Sequence, residues 1–241
     1  MNYKFDWSVL WTGQSGEWLL LGLVTTLEIS LLSWLLALTL GILSGALRAA
    51  GSRALSALAA FYVEFFRNVP LLVWMFFSYF AVAPLFSGTI PEWFPDYGSE
   101  FWAGVSALGV YHGARFSETI RAGIQSIPRT QHEAALSTGL TTAQTYRLVI
   151  IPVALRLIIP PGTNESLNLL KNSSVALTIG VAELTFQTRQ IETYTAKAFE
   201  ALAAGTLIYL ALCLAIASVM GRIERRFAIP GMIARVGPAE R

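Results

Sequence analysis

Long apolar runs alternate with short polar ones along the chain. Leu19–Leu47 carries one charge, Glu28; Val69–Ile90 and Ala201–Met220 carry none; Phe101–Ile120 carries Arg115 and Glu118. Each is close to or above the roughly 20 residues a helix needs to cross a bilayer. Leu148–Phe186 is too long for one straight crossing and too short for two with a loop. Pro160, Pro161 and the polar group Lys171–Ser174 predict a break there, giving one crossing followed by a bent or partly re-entrant helix. The pattern predicts an all-α integral membrane protein of about five transmembrane helices, forming a single domain over residues 1–241.

Composition supports lipid as the main solvent. Of 241 residues, 54% are hydrophobic and 13% charged, and mean hydropathy is +0.56. A soluble domain carries about a quarter charged residues. The net charge of +2 gives a nucleic-acid role no electrostatic support. The single cysteine, Cys213, excludes an internal disulfide, and in the apolar run Leu210–Ala217 it reads as a packing thiol. Near the start, Lys4, Asp6, Trp7 and Trp11 read as interfacial anchoring rather than as a cleaved signal.

Arginine placement sets the expected orientation. Arg48, Arg53 and Arg67 follow the first span, Arg121, Arg129, Arg147 and Arg156 surround the stretch after the third, and Arg222, Arg225, Arg226, Arg235 and Arg241 follow the last. Ser87–Glu100 instead carries Glu92, Asp96 and Glu100 with no positive charge. The N-terminus is expected outside and the C-terminus in the cytoplasm, which an odd number of crossings satisfies.

The polar stretch Ser126–Pro152 has the most internal order. Thr130-x-x-Glu133 and Thr141-x-x-Gln144 both have capping-box spacing. Gly139 between them is a helix stop, and Pro152 marks the start of the next span. Two short helices are expected, with Ala134 and Ala135 on an exposed face that another protein surface can approach closely. Glu133 reads either as a cap or as part of a docking element. No G-x-x-x-x-G-K-[ST] phosphate loop exists, and none of the three lysines follows a glycine at that spacing. If ATP drives this chain, a separate subunit must bind it.

The run Glu133-Ala134-Ala135 with Gly139 and Ile151-Pro152 resembles the EAA loop of ABC-importer permeases. Tyr62–Leu71, containing Glu64, Arg67 and Pro70, Glu118–Pro128 and Leu169–Ser174 are similar to successive segments of the polar amino-acid branch, in the same order. Phe66-Arg67-Asn68-Val69-Pro70 and Lys171-Asn172-Ser173 look most like the glutamate/aspartate subgroup. The resemblance implies a type I importer permease fold (MetI-like) in the bacterial inner membrane, N-terminus periplasmic. It implies that Glu133, Ala134, Ala135 and Gly139 couple to a dimer of ATP-binding subunits. It also implies a second permease subunit and a periplasmic amino-acid-binding protein as partners, with no cofactor on this chain, ATP and magnesium being held by the ATPase. The chain is then a transport subunit and not an enzyme.

Ionisable groups inside a span are costly, and each is a functional hypothesis. Arg115 stands where the branch commonly has tyrosine, and a guanidinium holds a carboxylate through two parallel hydrogen bonds. Arg115, Glu118, Lys171, Asn172 and Ser173 are the expected substrate path; alternatively Arg115 and Glu118 neutralise each other at i, i+3. His112 and His132 lack neighbouring ligands for a metal, and no G-x-S-x-G nucleophile motif occurs. Two other readings are an ATP-independent carrier or channel and a non-transporting anchor. The lack of a detectable duplication weighs against the first, and the charges within spans against the second.

Overall fold

The computed structural model describes residues 3–49, 52–86 and 98–227, and among them every regular element is helical. They are α1 (Ser15–Ala49), α2 (Arg53–Arg67), α3 (Leu71–Phe77), α4 (Gly98–Gln125), α5 (Arg129–Ser137), α6 (Thr142–Thr145), α7 (Ile151–Asn172), α8 (Leu184–Thr195) and α9 (Ala198–Phe227). Three continuous helices, Ser15–Arg48, Thr142–Ile179 and Ala198–Phe227, are long and apolar enough to cross a membrane. α2 and the helical stretch Leu71–Leu85 form a bent pair at 100° that passes the same test together. The expected second span was drawn to Ile90, and its last residues lie outside those described.

α4 occupies the centre, against α1, α2, α3 and α7. At 28 residues it extends about 42 Å, ample for a crossing, though His112, Arg115 and Glu118 dilute its apolar character. Small residues let its neighbours approach. A Cβ on Gly109 would lie 2.5 Å from the Leu36 side chain, one on Gly41 2.8 Å from Phe116, and one on Gly45 2.9 Å from Ile120. These contacts advance together along both helices, so α1 and α4 run parallel, joined by Gly41-x-x-x-Gly45 facing α4 and Gly109 facing α1, the small-residue packing of membrane helices. Hydroxyls from three other helices bond to α4 carbonyls: Ser33 to Val105 at 3.3 Å, Tyr62 to Val110 at 2.8 Å and Ser78 to Ala103 at 2.9 Å.

The helix through residues 148–186 corrects one expectation. Pro160 and Pro161 lie inside α7 without breaking it, and Tyr146–Ile150 joins α6 to α7 as a π-helical segment. Each proline forfeits one backbone bond, while unwinding in lipid would strand many more polar groups. The α-helix does end at Asn172, within the expected polar group Lys171–Ser174, and a 3-10 segment, Ser173–Ile179, continues to Gly180, whose φ of +92 ends it. α8 then starts on buried Glu183, which accepts from the Thr185 and Phe186 amides at 2.9 Å and from the Tyr209 hydroxyl at 2.6 Å. The Leu184 amide donates to Thr26 of α1 at 3.0 Å. Twelve residues reach only about 18 Å, too short to cross.

The N-terminal segment seats on the start of α9. The Asp6 amide donates to Glu200 at 2.7 Å, the Tyr3 hydroxyl also bonds Glu200, and Phe5 meets Phe199 edge-on at 5.2 Å. Trp7 and Trp11 remain exposed at 42% and 69%, in keeping with interfacial anchoring. The starts of α1 and α9 therefore lie on one side of the bundle, and the end of α1 meets the end of α4 on the other through Arg48 and Glu118.

Candidate transport cleft and the two short helices

Two charged clusters sit on α4, three residues apart. In the first, Glu165 of α7 accepts from His112 Nδ1 at 2.6 Å and from Arg115 Nε at 2.8 Å, both on Oε1. Asn172 Nδ2 lies 3.2 Å from His112 Nε2, which fixes the Nδ1–H tautomer of the ring. His112 is buried at 1% exposure, and Arg115 also stands 5.9 Å from the centre of the Tyr111 ring. The ion pair uses Nε and leaves the two terminal amines of Arg115 outside it.

In the second cluster Glu118 accepts from Arg48 at 2.8 Å and pairs with Arg121, whose guanidinium also reaches Gln125. Arg115 therefore does not pair with Glu118, contrary to one expectation: side chains at i, i+3 point along one helix face, but each has a better-aligned partner on another element or on the next turn.

A cleft of about 710 Å³ opens between these clusters, lined by Arg67, Arg115, Glu118 and Glu165 with Thr119 and Ser126 among its polar walls. Lys171, Asn172 and Ser173 are not among its lining residues. Asn172 supports His112, and Ser173 is buried with its hydroxyl on the Leu170 carbonyl at 2.7 Å. Lys171 is exposed and makes no side-chain bond among the described residues. Arg67, noted in sequence for its charge and as part of a motif but not as a path residue, also lines the cleft, whereas Glu64 bonds Asn68 at 3.0 Å and Pro70 caps α3. The Glu165 partnership was invisible in sequence, because its donors lie 50 and 53 residues away.

On the side where α4 ends, α5 and α6 form the two short helices. The Thr141–Gln144 capping box is present in both directions, at 3.3 and 2.8 Å. The Thr130–Glu133 box is not: Pro128 occupies the cap, so Thr130 already lies inside α5. Glu133 is thereby an exposed carboxylate without a side-chain partner among the described residues. Gly139 ends the turn at φ +88, as its position required. Ala134 is exposed, but Ala135 is buried at 8%, facing the bundle rather than a partner. Glu133, Ala134 and Leu136 are among the exposed residues of α5. The His132 ring meets Tyr146 edge-on at 5.8 Å, tying α5 to the π segment.

Residues 37–229 match the family described as binding-protein-dependent transport system inner membrane component. The chain belongs to that family. It is 40% identical over 218 residues to the glutamate/aspartate import permease protein GltJ of Escherichia coli K12, covering 89% of each chain. It is 34% identical over 227 residues to the glutamine transport system permease protein GlnP of the same organism, covering 94% of this chain and 99% of that one. The solved structure of an amino acid ABC transporter with histidines superposes with a TM-score of 0.80 at 32% identity, over 93% of this chain and all (100%) of that chain. The expected importer-permease fold is thus the observed one, and the chain is a membrane component of a transport system.

Proposed function

We propose that the chain is a permease subunit for acidic amino acids, moving them from periplasm to cytoplasm on energy supplied by a separate ATPase. The observation that carries the cargo is Arg115: a guanidinium in a half-enclosed cleft, fixed by Glu165 and Tyr111, with its terminal amines outside the ion pair. Such a group offers a planar fork to a carboxylate, and the similarity to a glutamate/aspartate permease agrees. The arginines at the cleft end of the bundle support a cytoplasmic location for that end by the positive-inside rule, and on this reading the cleft is the cytoplasmic part of the path. A second permease completes the path, and a periplasmic binding protein delivers cargo to the opposite face.

Uptake competition in reconstituted complexes, with ATP as the energy source and a panel of amino acids, tests the cargo. Arg115→Tyr lowers glutamate and aspartate uptake at least about tenfold, the loss of one charge-assisted hydrogen bond, with assembly intact. Unchanged glutamate uptake by that variant sinks the assignment.

The free carboxylate of Glu133 and the αL stop at Gly139 support α5 as the ATPase seat. Gly139→Val forces a β-branched residue into a left-handed backbone, at a cost of about 1–3 kcal/mol. Both Glu133→Ala and Gly139→Val are expected to reduce the ATPase recovered with the purified permease, read as subunit stoichiometry.

A further inference from the structure

Arg67 is the last residue of α2, next to the 100° bend into α3. It lines the same cleft as Arg115 yet makes no side-chain hydrogen bond or ion pair among the described residues. Arg48 and Arg121 are both held on Glu118, Arg115 is held on Glu165, and Arg67 is left over. Of the two arginines that line the cleft, Arg67 is thus the one with no carboxylate partner among the described residues. Arg67 is exposed, so its guanidinium is open to an anion that enters the cleft, and the fork it offers matches a carboxylate.

We infer that Arg67 and Arg115 form a two-guanidinium clamp that holds the two carboxylates of one dicarboxylic amino acid in the cytoplasmic half of the path. The inference rests on the acidic-cargo reading above and adds a second binding residue to it. Arg115 grips one carboxylate through its terminal amines. Arg67, free of any internal partner, takes the other. Glu165, whose two donors both sit on Oε1, is the acceptor available to the substrate ammonium. The Thr119 and Ser126 hydroxyls donate to their own helix, to Arg115 O at 3.3 Å and Gly123 O at 2.8 Å, so their lone pairs stay open to the same ammonium. Because Arg67 sits at the α2–α3 bend, a change of bend angle alters the span between the two guanidiniums and with it the grip.

Equilibrium binding of radiolabelled glutamate to the detergent-purified, nucleotide-free permease–ATPase complex, without binding protein, tests the clamp. Arg67→Gln weakens binding roughly ten- to hundredfold, the loss of charge-assisted bonds to one carboxylate. Arg67→Lys recovers part of it, keeping the charge but losing the fork. Arg53→Gln, which removes an exposed arginine at the other end of α2, leaves binding unchanged. Wild-type affinity in Arg67→Gln, or an equal loss in Arg53→Gln that marks a general attraction to surface charge, overturns the clamp. If Arg67→Gln fails to assemble, wild-type affinity in Arg67→Lys overturns it instead. Weakened binding in Arg115→Tyr with none in Arg67→Gln removes the clamp while the acidic cargo stands. A wild-type complex that imports glutamine but neither binds nor imports glutamate or aspartate removes both.

Discussion

The two charged clusters on α4 use the same chemistry and reach opposite ends. Glu118 is a carboxylate surrounded by cations: Arg48 from α1 and Arg121 one turn along leave it no capacity for anything else. Arg115 is a cation tied at one corner, by a carboxylate that is itself shared with His112. The first arrangement fastens the end of α1 to the end of α4. The second holds a guanidinium still while leaving most of its donors unspent. A charge inside a membrane protein is thus structural or receptive according to how many of its hydrogen-bonding positions the fold has already filled, and sequence position says little about which.

The largest expected effect comes from removing the shared acceptor. Glu165→Leu leaves Arg115 and His112 without their common partner and costs about 3 kcal/mol or more. Complex yield and thermal midpoint in detergent both fall, and glutamate uptake drops with them. A variant with wild-type stability and uptake breaks the contrast between the clusters. The next effect sharpens it. Glu118 has two cationic partners, so removing both by Arg48→Met with Arg121→Met is expected to exceed the sum of the single changes, because only the double variant leaves the carboxylate stranded. Thermal denaturation of the four members of that cycle measures the excess. Smallest is Arg48→Met alone, with Arg121 still in place, at about 1 kcal/mol or less.

The spans were legible because lipid imposes one simple rule on length and polarity, and the Thr141 capping box was legible because it is local. What escaped notice depends on neighbours distant in sequence. The close seam between α1 and α4 requires Gly41, Gly45 and Gly109 to face their partner helix, and no reading of either segment alone shows that. The alternative pairing of Arg115 with Glu118 rested on i, i+3 spacing, a relation a sequence displays directly; the actual partner lies on α7. Thr130 lost its capping role to Pro128, whose fixed φ starts a helix two residues earlier than the threonine would. Pro160 and Pro161 signal a break in sequence, but in hydrocarbon an unwound helix strands more polar groups than the bonds the prolines forfeit, so α7 continues through them. α2 was missed as an element because its 15 residues are amphipathic rather than uniformly apolar.

The uninterrupted helix from Thr142 to Ile179 joins the two short helices to the cleft without a joint of loose chain. Thr142 begins beside the turn that ends α5, and Glu165 lies 23 positions further along the same shaft, about 35 Å away at 1.5 Å per residue. A shaft of that length is a lever. Pivoted at its Thr142 end, a tilt of about 5° carries Glu165 sideways by roughly 3 Å. That exceeds the 2.8 Å separating it from Arg115, so a small rotation at the α5–α6 end is enough to pull the guanidinium's anchor away.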